Sequence, residues 1–249
     1  MNLIIRIIVT FYFYEVFILL TIIDSFLSFP LFLISPSGKL FHKFLKSSAK
    51  ICLFFSGTRA ILQNKNKYNS DRESYIIISN HQSLFDIIVL YSIFDKLSFK
   101  WVIKKSLFNI PFFGIPLLYL ARYIKLDRKN KYKAYKAIEK SVEWIKKGFS
   151  MIIFPEGTRS LEDKINEFKS GSIKIAFLSG RPIIPVVMRG TLFIKSKKAF
   201  FINPVPVVIK ILDKIEVKDR DKSEQKELLK ELQNNMQNVY NELKELNYN

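Results

Sequence analysis

The stretch YIIISNHQSLFDIIVLYSIF, residues 75–94, decides how the chain folds. Its first five residues, Tyr75-Ile-Ile-Ile-Ser79, are short, β-branched and apolar, the pattern of a buried strand. Ser83-Leu-Phe-Asp86, followed by Ile-Ile-Val-Leu-Tyr-Ser-Ile-Phe94, reads as the start and body of a helix entering the core. His81 then falls in the strand-to-helix turn and Asp86 in the first helical turn. Five steps along an ideal helix rotate a side chain by about 140°, so the two can meet only if one of them lies outside the helix. In that arrangement the carboxylate folds back, accepts the imidazole N–H and stabilises the imidazolium formed when His81 takes a proton. A second reading stays open: Ser83-x-x-Asp86 has the spacing of a capping box, in which Asp86 serves only the helix terminus. The other histidine is His42, in the basic, aromatic stretch Lys39-Leu-Phe-His-Lys43. Histidine proton chemistry, if present, falls to His81.

Composition narrows the class. A chain of 249 residues can hold one sizeable domain plus an appendage. The net charge is +18, yet 49% of residues are hydrophobic, with 23 Phe and 11 Tyr. So apolar a basic chain suits an anionic membrane surface better than nucleic acid, for which no recognition module is present. Cys52 is the one cysteine, so no intrachain disulfide can form. Two separated histidines without an H-E-x-x-H pattern argue against a zinc centre.

Upstream of the strand, Leu3 to Ile34 is strongly apolar, interrupted by Arg6, Glu15, Asp24 and Pro30. It is too long for a signal-peptide core and lacks a small-residue cleavage site. Either one helix spans a membrane, or two helices broken near Ser28-Phe-Pro30 lie in one leaflet. The cost of burying Glu15 in hydrocarbon favours the second. Lys39, Lys43, Lys46, Lys50 and Arg59 follow the segment, against Arg6 alone before it. If the segment spans, the positive-inside rule keeps the main domain cytoplasmic. The expected division is a membrane-anchoring region over residues 1–62 and an α/β domain over 63–249, with the polar run Gln63 to Glu73 as a surface connection.

Downstream, Ser98 to Ile103 and Tyr123 to Leu126 are expected strands. Phe112 to Leu120, split by Gly114 and Pro116, is expected to be broken, either as a core element or as the lining of an acyl-chain pocket. Residues 131–147 place Tyr132, Tyr135, Ile138, Val142 and Ile145 at helical spacing, ending at Gly148. Met151 to Phe154 and Pro182 to Met188 are expected strands, with a short helix over Ser172 to Leu178 between them. Late strands are expected at Ala199 to Ile202 and at Val205 to Leu212, the prolines favouring edges. Ser223 to Leu246 carries one apolar stripe for packing onto the domain. The fold class is therefore α/β, with a mixed, largely parallel sheet flanked by helices. In such sheets a site assembles at strand C-termini, and His81, Arg128, Glu156 to Arg159 and Arg189 all fall at strand exits. The loop Pro155-Glu-Gly-Thr-Arg159 combines a glycine, a hydroxyl, a carboxylate and a guanidinium. It is either a phosphate cradle or an ordinary turn.

Together, the motifs resemble those of the glycerolipid acyltransferase family, especially bacterial 1-acyl-sn-glycerol-3-phosphate acyltransferases. Asn80-His-Gln-Ser-Leu-Phe-Asp86 looks like the family's N-H-x-x-x-x-D motif, Phe154-Pro-Glu-Gly-Thr-Arg-Ser160 its F-P-E-G-T-R-S motif, and Ile184-Pro-Val186 its later P-V block. Phe168-Lys-Ser-Gly171 fits its F-K-x-G. Lys104-Lys-Ser-Leu, Ile110-Pro-Phe-Phe-Gly114 and Ile124-Lys-Leu-Asp-Arg128 are similar to the second block, although Lys125 and Leu126 intervene before Asp127 and the usual upstream glycine is replaced by Ala121-Arg122.

The resemblance implies acyl transfer from a thioester of coenzyme A or acyl carrier protein to the 2-hydroxyl of lysophosphatidic acid. His81 would be the general base and Asp86 its orienting partner. Glu156, Gly157, Thr158 and Arg159 would hold the acceptor, with Arg128 and Lys105 as further phosphate partners. No cofactor, metal or covalent acyl-enzyme is implied, and the partners are the lipid acceptor, the acyl donor and an anionic membrane surface. Two alternatives remain: another lysophospholipid or a lyso-aminolipid as acceptor, or a basic membrane-binding protein without chemistry.

Overall fold

The computed structural model describes residues 3–64, 73–110 and 114–245. Two helices lead. α1 runs unbroken over Leu3–Ile34 and α2 over Lys39–Phe55. Strands follow at Ala60–Gln63 (β1) and Ile76–Ser79 (β2), then α3 at Phe85–Ile93 and β3 at Phe99–Lys104. A 3₁₀ turn at Lys105–Asn109 and a π-helical turn at Gly114–Tyr119 lead to β4 at Ile124–Leu126. The remaining elements are α4 (Lys131–Lys146), β5 (Ser150–Ile153), α5 (Gly171–Ser179), β6 (Ile183–Arg189), α6 (Thr191–Ile194), β7 (Val207–Ile211) and α7 (Gln225–Glu245).

One sheet organises these elements, with strand order β1-β7-β6-β2-β5-β3-β4. Every pairing is parallel except β6 with β7. The centre is continuous Ile and Val because both faces are covered. Ile77 joins one core with Phe41, Phe85 and Val89 from α2 and α3. Ile76 and Ile78 join the other, with Ile145, Ile173 and Leu232 from α4, α5 and α7. Each such isoleucine, removed fully from water, contributes about 1.5–3 kcal/mol.

The connections create the crevice. From β2 the chain crosses β5 to reach β3, with α3 on one face. It returns from β4 to β5 through α4, and from β5 past β2 to β6 through α5, both on the other face. Right-handed crossovers require this swap when the direction of travel reverses. The loops leaving the adjacent parallel strands β2 and β5 therefore diverge to opposite faces, and the gap between them is where an open α/β sheet accepts a ligand.

The N-terminal region departs from expectation. α1 is not broken at Ser28-Phe-Pro30: Pro30 lies within the helix, and the chain turns instead at 35–38, where Gly38 has φ +73°. Pro30 leaves the Phe26 carbonyl without an intrahelical N–H, and the helix continues because α1 is packed against α2. At about 1.5 Å per residue, the 32 residues of α1 reach ~48 Å, long and apolar enough to cross a membrane. Its buried residues Thr10, Phe13, Asp24 and Ser28 fall within about 60° of the helical wheel. Exposed Ile8, Phe11, Ile18, Ile22, Phe26 and Phe29 occupy the opposite sector, about 80° wide.

α1 therefore docks lengthwise. Phe13 stacks on Phe85 with ring centres 5.1 Å apart, and the Thr10 hydroxyl accepts the Ile202 N–H at 2.9 Å. The turn beyond α1 is pinned by Lys100, wholly buried in β3, which donates to Ser37 O at 2.6 Å and Ala121 O at 2.7 Å.

Two further expectations are corrected. Ala199 to Ile202 forms no strand; the Ile202 N–H is taken by Thr10, and Phe200 and Phe201 turn toward α1. β7 begins only at Val207, past both prolines, and is not an edge, because β1 pairs alongside it. Of the segment split by Gly114 and Pro116, residues 112–113 lie outside the described residues, as do 65–72 of the polar connection and Leu246 of the C-terminal stripe.

Candidate active site

His81 and Asp86 meet. Asp86 sits in the first turn of α3 and His81 in the preceding turn, with His81 Nδ1 2.7 Å from Asp86 Oδ2. The same oxygen accepts the backbone N–H groups of Gln82 at 2.7 Å and Ser83 at 2.8 Å. Half of a capping box is therefore present, the carboxylate serving the turn's N–H groups. The reciprocal half is absent: the Asp86 N–H bonds Ser83 O at 3.4 Å, and Ser83 Oγ donates to Lys195 O at 2.7 Å. The cap and the dyad coexist on one oxygen. A carboxylate already accepting two N–H groups is an acceptor, so Nδ1 carries the proton and Nε2 is the basic nitrogen. Asp86 is wholly buried, and Oδ1 has no partner among the described residues. Its charge is thus little compensated on that side and available to stabilise an imidazolium.

The rest of the turn is locked from several elements. The imidazole lies flat on Phe154 at the end of β5, with centroids 4.0 Å apart and planes at 9°. Asn80, fully buried, exchanges two 2.8 Å hydrogen bonds with the Met188 backbone, extending the β2–β6 pairing by one residue. Ser160 N–H donates to His81 O at 2.8 Å, drawing the loop after β5 across the β2 exit. His81 itself keeps 15% of its side chain exposed, so the ring is held but reachable.

The β5 loop brings the other sequence-predicted residues to the crevice in different roles. Glu156 is 3% exposed, and both its oxygens are engaged: Oε1 accepts His81 N–H at 2.6 Å and Oε2 accepts Asn166 N–H at 2.9 Å. Burial pushes its carboxyl up to about 7, against the opposing pull of those backbone donors. This carboxylate is a buried tie between the His81 turn and the loop rather than a group open to a ligand. Gly157 has φ +74°, and a Cβ there would meet the Arg128 guanidinium at 3.1 Å, so both its conformation and its neighbour call for glycine. Arg128 donates to the Gly157 carbonyl, which brings the β4 exit onto the β5 loop and leaves the rest of the guanidinium for a ligand. Thr158 is exposed and Arg159 half-buried. Lys105, at the β3 exit, lies 3.1 Å from Asp127, so part of its charge is already met. Arg189 is held by Asp163 and the Leu243 carbonyl, so its guanidinium is engaged within the protein.

One contributor escaped the sequence reading. Tyr240 of α7, fully buried, receives the Gln82 Nε2–H at 2.8 Å and donates to Asp163 Oδ1 at 2.5 Å. Gln82 also donates to Glu162 O at 3.2 Å. The C-terminal helix thereby fastens the residue after His81 to the loop after Arg159. No sequence signal marked Tyr240, which lies beside the apolar stripe of Leu229, Leu232, Met236, Val239, Leu243 and Leu246.

An imidazole paired with a buried carboxylate, beside a glycine-bearing loop and two arginines at a sheet switch point, is an arrangement able to take up a proton next to a bound anion. The family model described as Acyltransferase matches residues 59–189, more than half of the chain, and the chain belongs to that family. It is 36% identical over 145 residues to a 1-acyl-sn-glycerol-3-phosphate acyltransferase of Cocos nucifera, a match covering 58% of this chain and 46% of that one. It is 36% identical over 165 residues to the Salmonella typhimurium protein of the same name, covering 64% and 65%. The chain thus spans about half the length of the plant relatives it matches. The crystal structure of the 1-acyl-sn-glycerophosphate (LPA) acyltransferase PlsC from Thermotoga maritima superposes with a TM-score of 0.78 at 26% identity, over 98% of both chains.

Proposed function

We propose that this acyltransferase moves a fatty acyl group from a thioester, on coenzyme A or acyl carrier protein, to the 2-hydroxyl of 1-acyl-sn-glycerol 3-phosphate, forming phosphatidic acid for phospholipid synthesis. The observation that carries the proposal is the 2.7 Å His81–Asp86 pair, with the Arg128–Gly157 contact and Arg159 on the adjoining strand exits. His81 Nε2 takes the proton of the acceptor hydroxyl as its oxygen attacks the thioester carbonyl. The C–O bond forms, the C–S bond breaks, and the imidazolium returns the proton to the departing thiolate. Asp86 holds the ring and balances its transient charge. Arg159 and Arg128 bind the acceptor's phosphate, Gly157 and Thr158 line the loop around it, and Lys105 adds positive potential at the rim. Glu156 keeps the loop and the His81 turn in register. This chemistry calls for no metal or cofactor.

The membrane role rests on α1. Docked lengthwise by one sector and apolar on the other, it suits a helix lying in one leaflet better than one leaving the domain to span. With the exposed Lys39, Lys43 and Lys50 after it, whereas Lys46 is buried against the Asp95 and Leu97 carbonyls, this supports attachment to an anionic membrane surface, where a single-chain lipid acceptor resides.

An acceptor panel tests the proposal. Lysophosphatidic acid is expected to be acylated well, lysophosphatidylcholine and monoacylglycerol poorly. Equal turnover of acceptors with and without a terminal phosphate would refute the acceptor assignment.

A further inference from the structure

On the far side of the His81 turn from Arg128 stands a cation that no motif marks. Lys195 follows α6, at the exit of β6, and its backbone carbonyl takes the Ser83 hydroxyl at 2.7 Å, two residues past His81. From the opposite direction, Ser160 N–H bonds His81 O at 2.8 Å, which sets Arg159 against the same turn. Both cations thus flank the same turn, and partial burial first, then the Arg159 charge, pulls the Lys195 ammonium below its ordinary value. The Lys195 ammonium donates to Ala199 O at 2.7 Å, leaving two N–H groups. Neither Lys195 nor Arg159 has a carboxylate partner among the described residues. Two cations brought together without an acid repel each other. A bound dianion would reverse the sign of that interaction, and a phosphate monoester has the charge and the acceptor oxygens to bridge an ammonium and a guanidinium.

We infer that Lys195 joins Arg159 in holding a substrate phosphate group, as a further cation on the side of the His81 turn opposite Arg128. The inference rests on the phosphate-acceptor reading above. Two substrates can supply the phosphate: the acceptor's terminal monoester, or the phosphate of the donor's pantetheine arm. The monoester fits the pair better in charge.

The experiment uses the full chain in detergent and reads binding apart from turnover. Calorimetric titration with a short-chain lysophosphatidic acid is compared among wild type, Lys195→Arg, Lys195→Gln and Lys195→Met, with the matching monoacylglycerol as the phosphate-free control. Steady-state KM is then measured separately for acceptor and donor. Lys195→Gln can still donate to Ala199 O but has no charge, so it separates loop support from anion binding. Losing one charge-assisted contact at a partly exposed site is expected to weaken phosphate-ligand binding about tenfold in the Gln and Met variants. Lys195→Arg should stay within about threefold of wild type by the same reasoning, and monoacylglycerol binding should not move. A raised KM for the acceptor assigns the site to its monoester. A raised KM for the donor alone, with acceptor binding unchanged, moves the site to the pantetheine phosphate. Wild-type affinity and unchanged KM for both substrates in Lys195→Gln would overturn the inference while leaving the acyltransferase reading intact. Lys195-dependent phosphate binding without acyl transfer would do the reverse.

Discussion

At the residue scale, one oxygen does most of the positioning. Asp86 Oδ2 holds the imidazole and two backbone N–H groups of the turn that carries it. Asp86→Asn can keep the backbone contacts through its amide oxygen but loses the charge that stabilises the imidazolium. It should lower kcat by on the order of 10²–10⁴ with a smaller change in the acceptor's KM; kcat within threefold of wild type would remove Asp86 from the mechanism. Glu156 gives a separate test through pH. Its folded carboxyl sits at about 7, above the ordinary 4.5, so between these values the folded state holds a proton that the unfolded chain has lost. Its contribution to stability is therefore fully present below about 4.5 and declines as pH rises to about 7, by up to ~3 kcal/mol. Glu156→Gln should flatten the fall in Tm across that window. It should also lower activity, because its amide NH₂ must face either the Asn166 or the His81 N–H. A Tm profile with unchanged slope would show that this carboxyl does not titrate there.

At the element scale, the decisive link joins residues far apart in sequence. Tyr240 on α7 bonds Gln82 beside His81 and Asp163 beyond Arg159. Tyr240→Phe keeps the ring's packing but strips one partner from each, at a cost of about 1–3 kcal/mol. Activity per folded molecule is expected to fall roughly tenfold, through kcat more than KM. Loss of activity only in proportion to unfolded protein would reduce Tyr240 to a packing residue. This link could not be read from sequence, because Tyr240 sits beside the helix's apolar stripe and nothing in its neighbours signals a polar partner 158 residues away. The strands and helices between residues 75 and 188 were legible, since their apolar runs and spacing match elements buried on one or both faces. The His81–Asp86 contact is half legible: the spacing allows either a dyad or a cap, and that one oxygen serves both depends on the three-dimensional path of the turn. Ala199 to Ile202 misled because an apolar run looks alike whether it pairs in a sheet or packs under a helix. Pro30 does not break α1, because packing against α2 holds the helix, and such tertiary support is invisible in the sequence.

At the scale of the whole molecule, an apolar helix and a catalytic sheet are tied into one body. Lys100, with its ammonium lowered to about 7 mainly by burial and then by Arg122, bonds the carbonyls of Ser37 and Ala121. The exposed sector of α1 lies along the domain, so membrane attachment should be mainly hydrophobic, with basic residues as a secondary term. High salt should leave most of the protein on anionic vesicles, whereas replacing Ile18, Ile22 and Phe26 with Ser should release it; salt release of the wild type would make the attachment electrostatic. The central claim is that His81 removes the proton of a lysophosphatidic acid hydroxyl during direct attack on an acyl thioester. Its most direct test measures phosphatidic acid and free thiol together, for wild type and His81→Ala on the same vesicles. Wild type should form the two products in equal amounts, while His81→Ala forms neither above background and stays vesicle-bound. Phosphatidic acid production by His81→Ala at the wild-type rate would contradict the account.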